Sequence, residues 1–199
     1  RCISSVQSQL YPNIEHIIVD GQSVDRTLSE IRKSEAPRQI VISEPDDGLY
    51  DAINKGISRA SGDIIGILNS DDIFASKSVV SKVVSVFEDD PTINGIFGDV
   101  EYFAKGNPEK VMRRYVSQPL SRSNLAKGLM PAHPTIYLSR SIYERVGTYR
   151  SDYKIASDFE FVARAFVMNI LSMKKIKSIL VRMELGGVSN SGIGARFTI

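Results

Sequence analysis

Two adjacent aspartates follow directly after a short, entirely apolar run of the chain. Residues 64–68 have the length of a buried strand, and the polar residues Asn69, Ser70, Asp71 and Asp72 begin where that run ends. In open α/β sheets, ligands bind at the carboxyl ends of strands, because the loops there form a crevice that the sheet holds in place. This feature therefore predicts a sheet with a binding site at its edge.

The two carboxylates suit a divalent cation. Hard oxygen ligands on a short loop favour Mg²⁺ or Mn²⁺, and such an ion usually completes its coordination with water and the phosphates of a substrate. Asp71 and Asp72 therefore predict a site for a metal ion and a diphosphate. The alternative is an ordinary turn and helix cap, since aspartate favours both.

Helical and strand-like patterns alternate through the first half of the chain. After a short opening helix, strands are predicted at 14–20, 39–43 and 63–68, and helices at 24–33, 49–60 and 77–89. This order predicts an α/β fold with a mostly parallel central sheet and helices on both faces. The strand ends at Asp20, Glu44 and Leu68 would then lie on one edge of the sheet.

The second half is less regular. A hairpin is predicted from strands at 95–103 and 110–117, and it is followed by a strand at 135–139, helices at 140–146 and 157–167, and a strand at 174–184. Residues 186–192 are rich in glycine and serine. We predict that they form a flexible segment that closes over a bound diphosphate, since glycines permit hinge motion.

Charge is distributed unevenly along the chain. Residues 1–99 contain 9 Lys/Arg and 16 Asp/Glu, a net of −7, whereas residues 100–199 contain 16 and 7, a net of +9. An acidic half suits a metal site and a basic half suits an anionic partner, although ordinary surface charge explains the difference as well. The basic residues are scattered among apolar ones without a nucleic-acid motif, so no nucleic-acid partner is predicted.

Two further features concern the cellular compartment. The single cysteine, Cys2, excludes an internal disulfide and fits a reducing cytoplasm. No run approaches the roughly 20 apolar residues that a membrane-spanning helix needs. Basic residues such as Arg113 and Arg114 could still contact anionic lipid at a membrane surface, although solvated strand faces explain them equally well.

Three motifs carry a resemblance to a known family. They are IIVDGQSVDRT at 17–27, GLYDAINKG at 48–56 and GDIIGILNSDD at 62–72. In this order and spacing they resemble family 2 glycosyltransferases of the GT-A fold, which is Rossmann-like, and in particular the bacterial branch that builds cell-surface polysaccharides. That family normally begins with a strand and a small loop that contacts the nucleotide. The resemblance therefore implies that this chain is truncated at its N-terminus.

The resemblance implies roles on the donor side. Asp20 matches the acid that hydrogen-bonds the nucleotide base, and Asp51 and Asn54 match a helix that contacts the donor. Structural alternatives remain: Asp20 as a turn residue at a strand end, Asp51 as a helix-start residue and Asn54 as a solvated side chain.

The acidic motif differs from the usual family pattern at one position. Asp71 and Asp72 match the residues that hold the metal on the donor diphosphate. Asn69 stands where the family often has a first aspartate, so it would accept a hydrogen bond from ribose without adding charge. Metal affinity is therefore expected to be lower than is usual in the family.

The acceptor side is implied by the stretch ASDFEF at 156–161. It resembles a Glu-Asp-Tyr-Asp stretch of the family in which the residue at the position of Asp158 is the catalytic base. In the first turn of a helix, the helix dipole favours the ionised form that a base requires. The alternative is that Asp158 only stabilises the helix start, and Glu160 is the second candidate. His133 matches a histidine near the acceptor, although a lone histidine is more often structural.

Together these observations predict a single glycosyltransferase domain over residues 1–199, with the donor and metal half at 1–99 and the acceptor half at 100–199. The implied reaction is metal-dependent, inverting transfer of a hexose from a nucleotide-diphosphate sugar to a saccharide or lipid-linked acceptor in polysaccharide biosynthesis. The implied location is the cytoplasm, at the inner face of the membrane. Two alternatives are a non-catalytic relative that binds sugar nucleotides and a sugar-nucleotide nucleotidyltransferase, although no glycine-rich phosphate loop is visible.

Overall fold

A computed structural model of the protein describes residues 1–186, in which helices and strands alternate. The helices are α1 (Cys2–Gln7), α2 (Thr27–Lys33), α3 (Leu49–Arg59), α4 (Val79–Asp89), α5 (Arg122–Ala126), α6 (Arg140–Val146) and α7 (Ser157–Val167). The strands are β1 (His16–Asp20), β2 (Gln39–Ser43), β3 (Ile64–Gly66), β4 (Ile73–Phe74), β5 (Gly95–Ala104), β6 (Asn107–Tyr115), β7 (Tyr137–Ser139) and β8 (Met173–Glu184). A 3₁₀ helix at His133–Thr135 precedes β7. The predicted α/β class is confirmed.

The strands of residues 1–186 form two sheets. Strands β1 and β2 pair in parallel by themselves, and the larger sheet has the order β3-β7-β5-β8-β4, with β6 also paired to β5. One edge of the long strand β5 pairs antiparallel with β7 and then with β6, while its other edge pairs in parallel with β8. Within the first half of the chain, only β1 and β2 form the predicted parallel pair. The larger sheet is mixed, because the second half of the chain contributes antiparallel strands to it.

The core consists of two clusters of buried side chains. In one cluster, Phe161 of α7 and Ile142 of α6 are fully buried and pack with Leu138 of β7. In the other, Val79 and Val83 of α4 cover one part of the larger sheet. Buried residues of α7 recur at helical spacing, so burial of one helix face holds its polar N-terminus at a fixed place against the sheet.

Most of the predicted boundaries lie within three residues of the observed ones. Helices α6 and α7 span the predicted residues. Helix α2 begins three residues after its predicted start. The carboxylate of Asp25 accepts a hydrogen bond from the N–H of Thr27 at 2.8 Å, whereas the backbone N–H of Ser23 donates to the carboxylate of Asp20. Strand β4 and helix α5 are too short to leave a periodic pattern and were not predicted.

Two predictions concern membrane attachment and the C-terminal segment. None of the helices in the described part of the chain is long and apolar enough to cross a membrane. The segment at 186–192 that was predicted to close over a diphosphate lies, apart from Gly186, outside the described residues. The prediction about that segment therefore stays a prediction.

Candidate active site

The loops that follow β1 and β2 contact each other at the ends of these two parallel strands. The carboxylate of Asp20 is buried and accepts hydrogen bonds from the Ser43 hydroxyl at 2.8 Å and from the Ser23 backbone at 3.1 Å. Burial opposes ionisation of Asp20, but these hydrogen bonds outweigh it and lower the pKa of the carboxyl. A Cβ on Gly21 would lie 2.3 Å from the carboxylate of Asp46, so glycine lets the second loop approach the first. The first two of the three predicted strand-end loops are thus together.

The Asn69–Asp72 turn carries one exposed and one buried carboxylate. Asp71 is exposed, whereas Asp72 is 1% exposed and accepts a hydrogen bond from the side chain of Asn69 at 3.1 Å. Burial raises the pKa of Asp72 to about 7, with a further contribution from the charge of Asp71. The neighbours of this turn include Cys2 of α1 and Glu184 of β8.

The donor atoms of this turn fit a divalent cation with few protein ligands. The carboxylate of Asp71 is exposed to solvent, and the carboxylate of Asp72 is buried in the same turn. In residues 1–186, no group of three His, Cys, Asp or Glu side chains is placed to hold a metal ion. An ion at Asp71 would therefore depend on water and on phosphate oxygens of a ligand for most of its coordination, as Mg²⁺ commonly does.

Helix α3 connects the Asp20 region to the second half of the chain. It follows Gly48, whose φ of +114° favours glycine, and the partly buried Asp51 in its first turn lies 3.2 Å from Lys55. The backbone N–H of Asp47 and the ammonium of Lys55 lower the pKa of Asp51. Asn54, one turn further on, donates to the carbonyl of Tyr149 at 2.8 Å and accepts from its N–H at 2.9 Å. Asn54 therefore holds a loop of the second half against α3.

Asp158 lies in the first turn of α7 and contacts α3 through Tyr50. The hydroxyl of Tyr50 donates to Oδ1 of Asp158 at 3.1 Å, and Asp158 is half-buried. Burial raises the pKa of Tyr50 to about 12, and the nearby charge of Asp158 adds to the shift. Tyr50 therefore remains protonated and acts as a donor. Ala156, which precedes the helix, has a left-handed φ of 67° and no side-chain oxygen with which to cap the helix.

Glu160, the second candidate base, is engaged elsewhere. Its carboxylate forms a two-pronged ion pair with Arg164 at 2.9 and 3.0 Å. The same guanidinium donates to the carbonyl oxygens of Val146 and Thr148, so it also fixes the loop that leads to Tyr149. This arrangement favours Asp158 over Glu160 as the group that is free to accept a proton.

His133 contacts Tyr149, the residue whose backbone Asn54 holds. Its Nε2 atom is 3.1 Å from the hydroxyl of Tyr149, and the two rings meet edge to face with centroids 5.7 Å apart. Burial lowers the pKa of His133, although the charge of Asp158 opposes the shift. His133 thus packs behind the aromatic ring that Asn54 holds in place.

The predicted site residues therefore separate into two groups. Asp158, Asn54 and His133 meet around Tyr149, and Asp51 lies on the same helix as Asn54; Asp71, Asp72 and Asn69 share a turn that packs against α1 and β8. Sequence reasoning missed Tyr50 and Tyr149. Tyr50 and Asn54 stand four residues apart and so share one helix face, which is a signal that could have identified Tyr50. No comparable pattern marks Tyr149.

The basic residues that could contact an anionic surface have acidic or aromatic neighbours. Arg113 stacks on Tyr102 with its guanidinium 4.2 Å from the ring, and Arg114 pairs with the buried Glu101 at 3.1 Å. Lys175 lies 2.7 Å from the carboxylate of Asp99 in a similar ion pair. Acidic side chains of the same chain thus neutralise part of the positive charge of residues 100–199.

Comparisons with known sequences point to one family. Residues 1–150 match the model of the family described as Glycosyl transferase family 2. An uncharacterised glycosyltransferase of Mycobacterium tuberculosis is 31% identical over 192 residues, which cover 96% of this chain and 71% of that protein. A protein of Mycobacterium bovis named PGL/p-HBAD biosynthesis glycosyltransferase is 26% identical over 205 residues, which cover 98% of this chain and 75% of the relative.

Solved structures share the fold. S. aureus TarS 1–349 in complex with UDP-GlcNAc matches with a TM-score of 0.72 and 14% identity, over 95% of this chain and 55% of that one. The mannosyltransferase PcManGT of Pyrobaculum calidifontis, in complex with GDP-Man and Mn²⁺, matches with a TM-score of 0.68 and 17% identity, over 94% of this chain and 53% of that one. The chain thus spans about half the length of these two structures, and the predicted GT-A fold is confirmed.

Proposed function

Because this chain belongs to glycosyl transferase family 2, we propose that it transfers a sugar from a nucleotide-diphosphate sugar to a hydroxyl group of a saccharide or lipid-linked acceptor, with inversion at the anomeric carbon. Residues 1–99 would form the donor half and residues 100–199 the acceptor half. The relative named for PGL/p-HBAD biosynthesis supports a biosynthetic role, and the UDP-GlcNAc and GDP-Man complexes of the fold relatives suggest hexose donors.

Asp158 is the proposed general base. Its carboxylate takes the proton of the acceptor hydroxyl while that oxygen forms a bond to the anomeric carbon. The bond from this carbon to the diphosphate oxygen breaks at the same time, and its electron pair leaves with the nucleoside diphosphate. A single displacement of this kind inverts the anomeric centre and needs no covalent intermediate on the enzyme.

Six residues are proposed for donor binding in addition to the base, and two of them, Asp51 and Asn54, would contact the donor from helix α3. Asp20 would accept a hydrogen bond from the nucleotide base, and Asn69 would contact the ribose. Asp71, supported by Asp72, would hold a divalent cation together with the donor diphosphate. A bound Mg²⁺ or Mn²⁺ would act as a Lewis acid that stabilises negative charge on the leaving diphosphate.

The contact between Tyr50 and Asp158 is the observation that carries this proposal. Helix α3 begins next to the loop that packs on Gly21, beside Asp20, and its Tyr50 hydroxyl is 3.1 Å from the carboxylate of Asp158. The candidate base is therefore tied to the helix that continues from the proposed nucleotide loops. Transfer needs such a connection, because base and donor must be held in one geometry.

Donor binding can be tested by calorimetry. UDP-GlcNAc and GDP-mannose are titrated into the chain with and without Mn²⁺, and into the variants Asp71→Ala and Asp63→Ala. Asp63 is an exposed aspartate at the other end of the same strand, which makes it a matched control. We expect Mn²⁺-dependent binding of one donor that Asp71→Ala abolishes and Asp63→Ala retains. Binding of neither donor to the folded chain would argue for a non-catalytic relative of the fold.

The role of Asp158 can be tested by the release of nucleoside diphosphate from the donor that binds, with water as the acceptor. We expect Asp158→Asn to lower kcat by about 100-fold or more, which is the usual contribution of a general base, with unchanged donor affinity. The control is Asp152→Asn, since Asp152 is an exposed carboxylate six residues earlier that pairs with Arg150. Full activity of Asp158→Asn would exclude the proposed base.

A lipid-linked acceptor would place the reaction at the inner face of the cytoplasmic membrane. Strand β6 exposes Val111 and Met112 next to Lys110 and Arg113, a combination that suits an anionic lipid surface. Co-sedimentation with vesicles that contain phosphatidylglycerol tests this location. Equal recovery with purely zwitterionic vesicles, or undiminished binding of the Lys110→Glu/Arg113→Glu variant, would count against it.

A further inference from the structure

The carboxylate of Asp158 has a single side-chain hydrogen-bond donor among residues 1–186, the hydroxyl of Tyr50. That bond goes to Oδ1, so the second oxygen, Oδ2, makes no such bond to the described part of the chain. A carboxylate held by one oxygen keeps the other for an incoming proton. The geometry that a general base needs is therefore produced by a residue on another helix.

The start of α7 has no capping side chain of its own. Ala156 occupies the capping position and brings no side-chain acceptor to the free N–H groups of the first turn. The Tyr50 hydroxyl lies beside this first turn, because it donates to the carboxylate of Asp158. Ser157 is fully buried, and its own hydroxyl has no hydrogen-bond partner within residues 1–186. Tyr50 thus supplies a side-chain contact from another helix at a helix start that lacks a cap of its own.

Tyr50 is itself fixed on both sides. It is 8% exposed, and its ring stacks on the ring of Tyr149 with centroids 6.0 Å apart. Tyr149 is held by Asn54, which lies one turn after Tyr50 on α3. The hydroxyl therefore has little freedom to turn away from Asp158.

We propose that Tyr50 is a positioning residue for Asp158: its hydroxyl orients the carboxylate so that one oxygen faces the acceptor, and it couples helix α3 of the donor half to the base in the acceptor half. This inference rests on the proposed function, in which Asp158 is the base. Tyr50 does not touch the reacting atoms. Its contribution is to the rate of the transfer step and not to the affinity for the donor.

Tyr50→Phe removes only the hydroxyl and keeps the stacked ring. The matched control is Tyr143→Phe, because Tyr143 belongs to the same aromatic cluster and its hydroxyl interacts with Tyr149 and not with Asp158. We expect Tyr50→Phe to lower kcat for donor turnover by about 10- to 100-fold, as a displaced catalytic group does, with unchanged donor KM. Tyr143→Phe should keep both parameters near their original values. A wild-type kcat for Tyr50→Phe would overturn the inference.

A double-mutant cycle with Asp158→Asn separates positioning from an independent effect. If Tyr50 acts through Asp158, the variant Tyr50→Phe/Asp158→Asn has the same residual kcat as Asp158→Asn alone. If Tyr50→Phe lowers kcat in the Asp158→Asn variant by the same factor as in the original protein, the inference about Tyr50 is overturned. The proposed role of Asp158 as the base would still stand. Full activity of Asp158→Asn would instead overturn the proposed function, so the two failures are distinguishable.

A second pair of variants covers the case in which Tyr50→Phe does not fold. Tyr50→His offers a ring N–H that can donate to Oδ1, whereas Tyr50→Leu offers no donor. The inference requires a larger kcat for Tyr50→His than for Tyr50→Leu at equal donor KM. Equal values of kcat for these two variants would overturn it.

Discussion

The side-chain amide of Asn54 is joined to the backbone of Tyr149 by two hydrogen bonds, although 95 residues separate them in the chain. One bond runs from Nδ2 to the carbonyl oxygen and the other from the backbone N–H to Oδ1, at 2.8 and 2.9 Å. The pair imitates the pairing of neighbouring strands with a single side chain. It fixes the ring on which Tyr50 and His133 pack.

Replacement of Asn54 is expected to affect both stability and turnover. Asn54→Ala loses two partly buried hydrogen bonds, and we expect the free energy of unfolding to fall by about 2 kcal/mol. The control is Asn94→Ala, because Asn94 makes an equivalent pair of bonds to the backbone of Ile170 and Ser172 and not to that of Tyr149. Urea denaturation should report similar losses for the two variants, whereas donor turnover should fall only in Asn54→Ala. Equal turnover would show that the Asn54 pair is purely structural.

Gly66 should be intolerant of a side chain. A Cβ there would lie 2.3 Å from Cε1 of Tyr137, a buried ring on the neighbouring strand β7. Gly66→Ala is therefore expected to lower the free energy of unfolding by about 1 to 3 kcal/mol through overpacking, and to disturb the turn that carries Asp71. In the control Gly62→Ala, the closest neighbouring atom would be 3.8 Å away. Equal melting temperatures for the two variants and the original protein in thermal denaturation would contradict the expected clash.

The two histidines predict a loss of stability at mildly acidic pH. Burial lowers the pKa of His16 and of His133 below the ordinary value of 6.5, so the folded chain binds fewer protons than the unfolded chain. Their contribution to stability is therefore fully present above about pH 6.5 and declines as the pH falls through the lowered values. Urea denaturation at pH 7.5 and 5.5 should show a smaller decline for His16→Gln/His133→Gln than for the original chain. The carboxylates are the same in both proteins, so an equal decline would exclude the histidines as the cause.

Local patterns in the sequence were sufficient for most helices and strands. Helix α7 was predicted at its observed residues from the helical spacing of Phe159, Val162, Ala163 and Phe166. The side chains that it buries include Phe161 and Ala165 as well as Val162, so the pattern identified the helix but only part of its buried face. The order of strands in the larger sheet was not predictable in this way. It depends on where β6 and β7 meet β5, and those contacts join residues that are distant in the chain.

In the candidate site too, residues at the ends of local elements were predictable, whereas contacts between distant residues were not. Asp20, Asp71 and Asp158 stand at the ends of regular elements, which is why the sequence could identify them as candidates. The contacts that orient Asp158 come from Tyr50, 108 residues earlier, and no local pattern records such a pairing. Similarly, the burial of Asp72 beneath Asn69 distinguishes it from the exposed Asp71, although the two residues are adjacent in the sequence.

The separation of the strands into two sheets has a consequence for how the chain behaves in solution. Within residues 1–186, β1 pairs only with β2 and β3 pairs only with β7, so both apolar strands keep one row of backbone groups without a strand partner. Amides in such a row are expected to exchange with deuterium well before those of β5, which has partners on both edges.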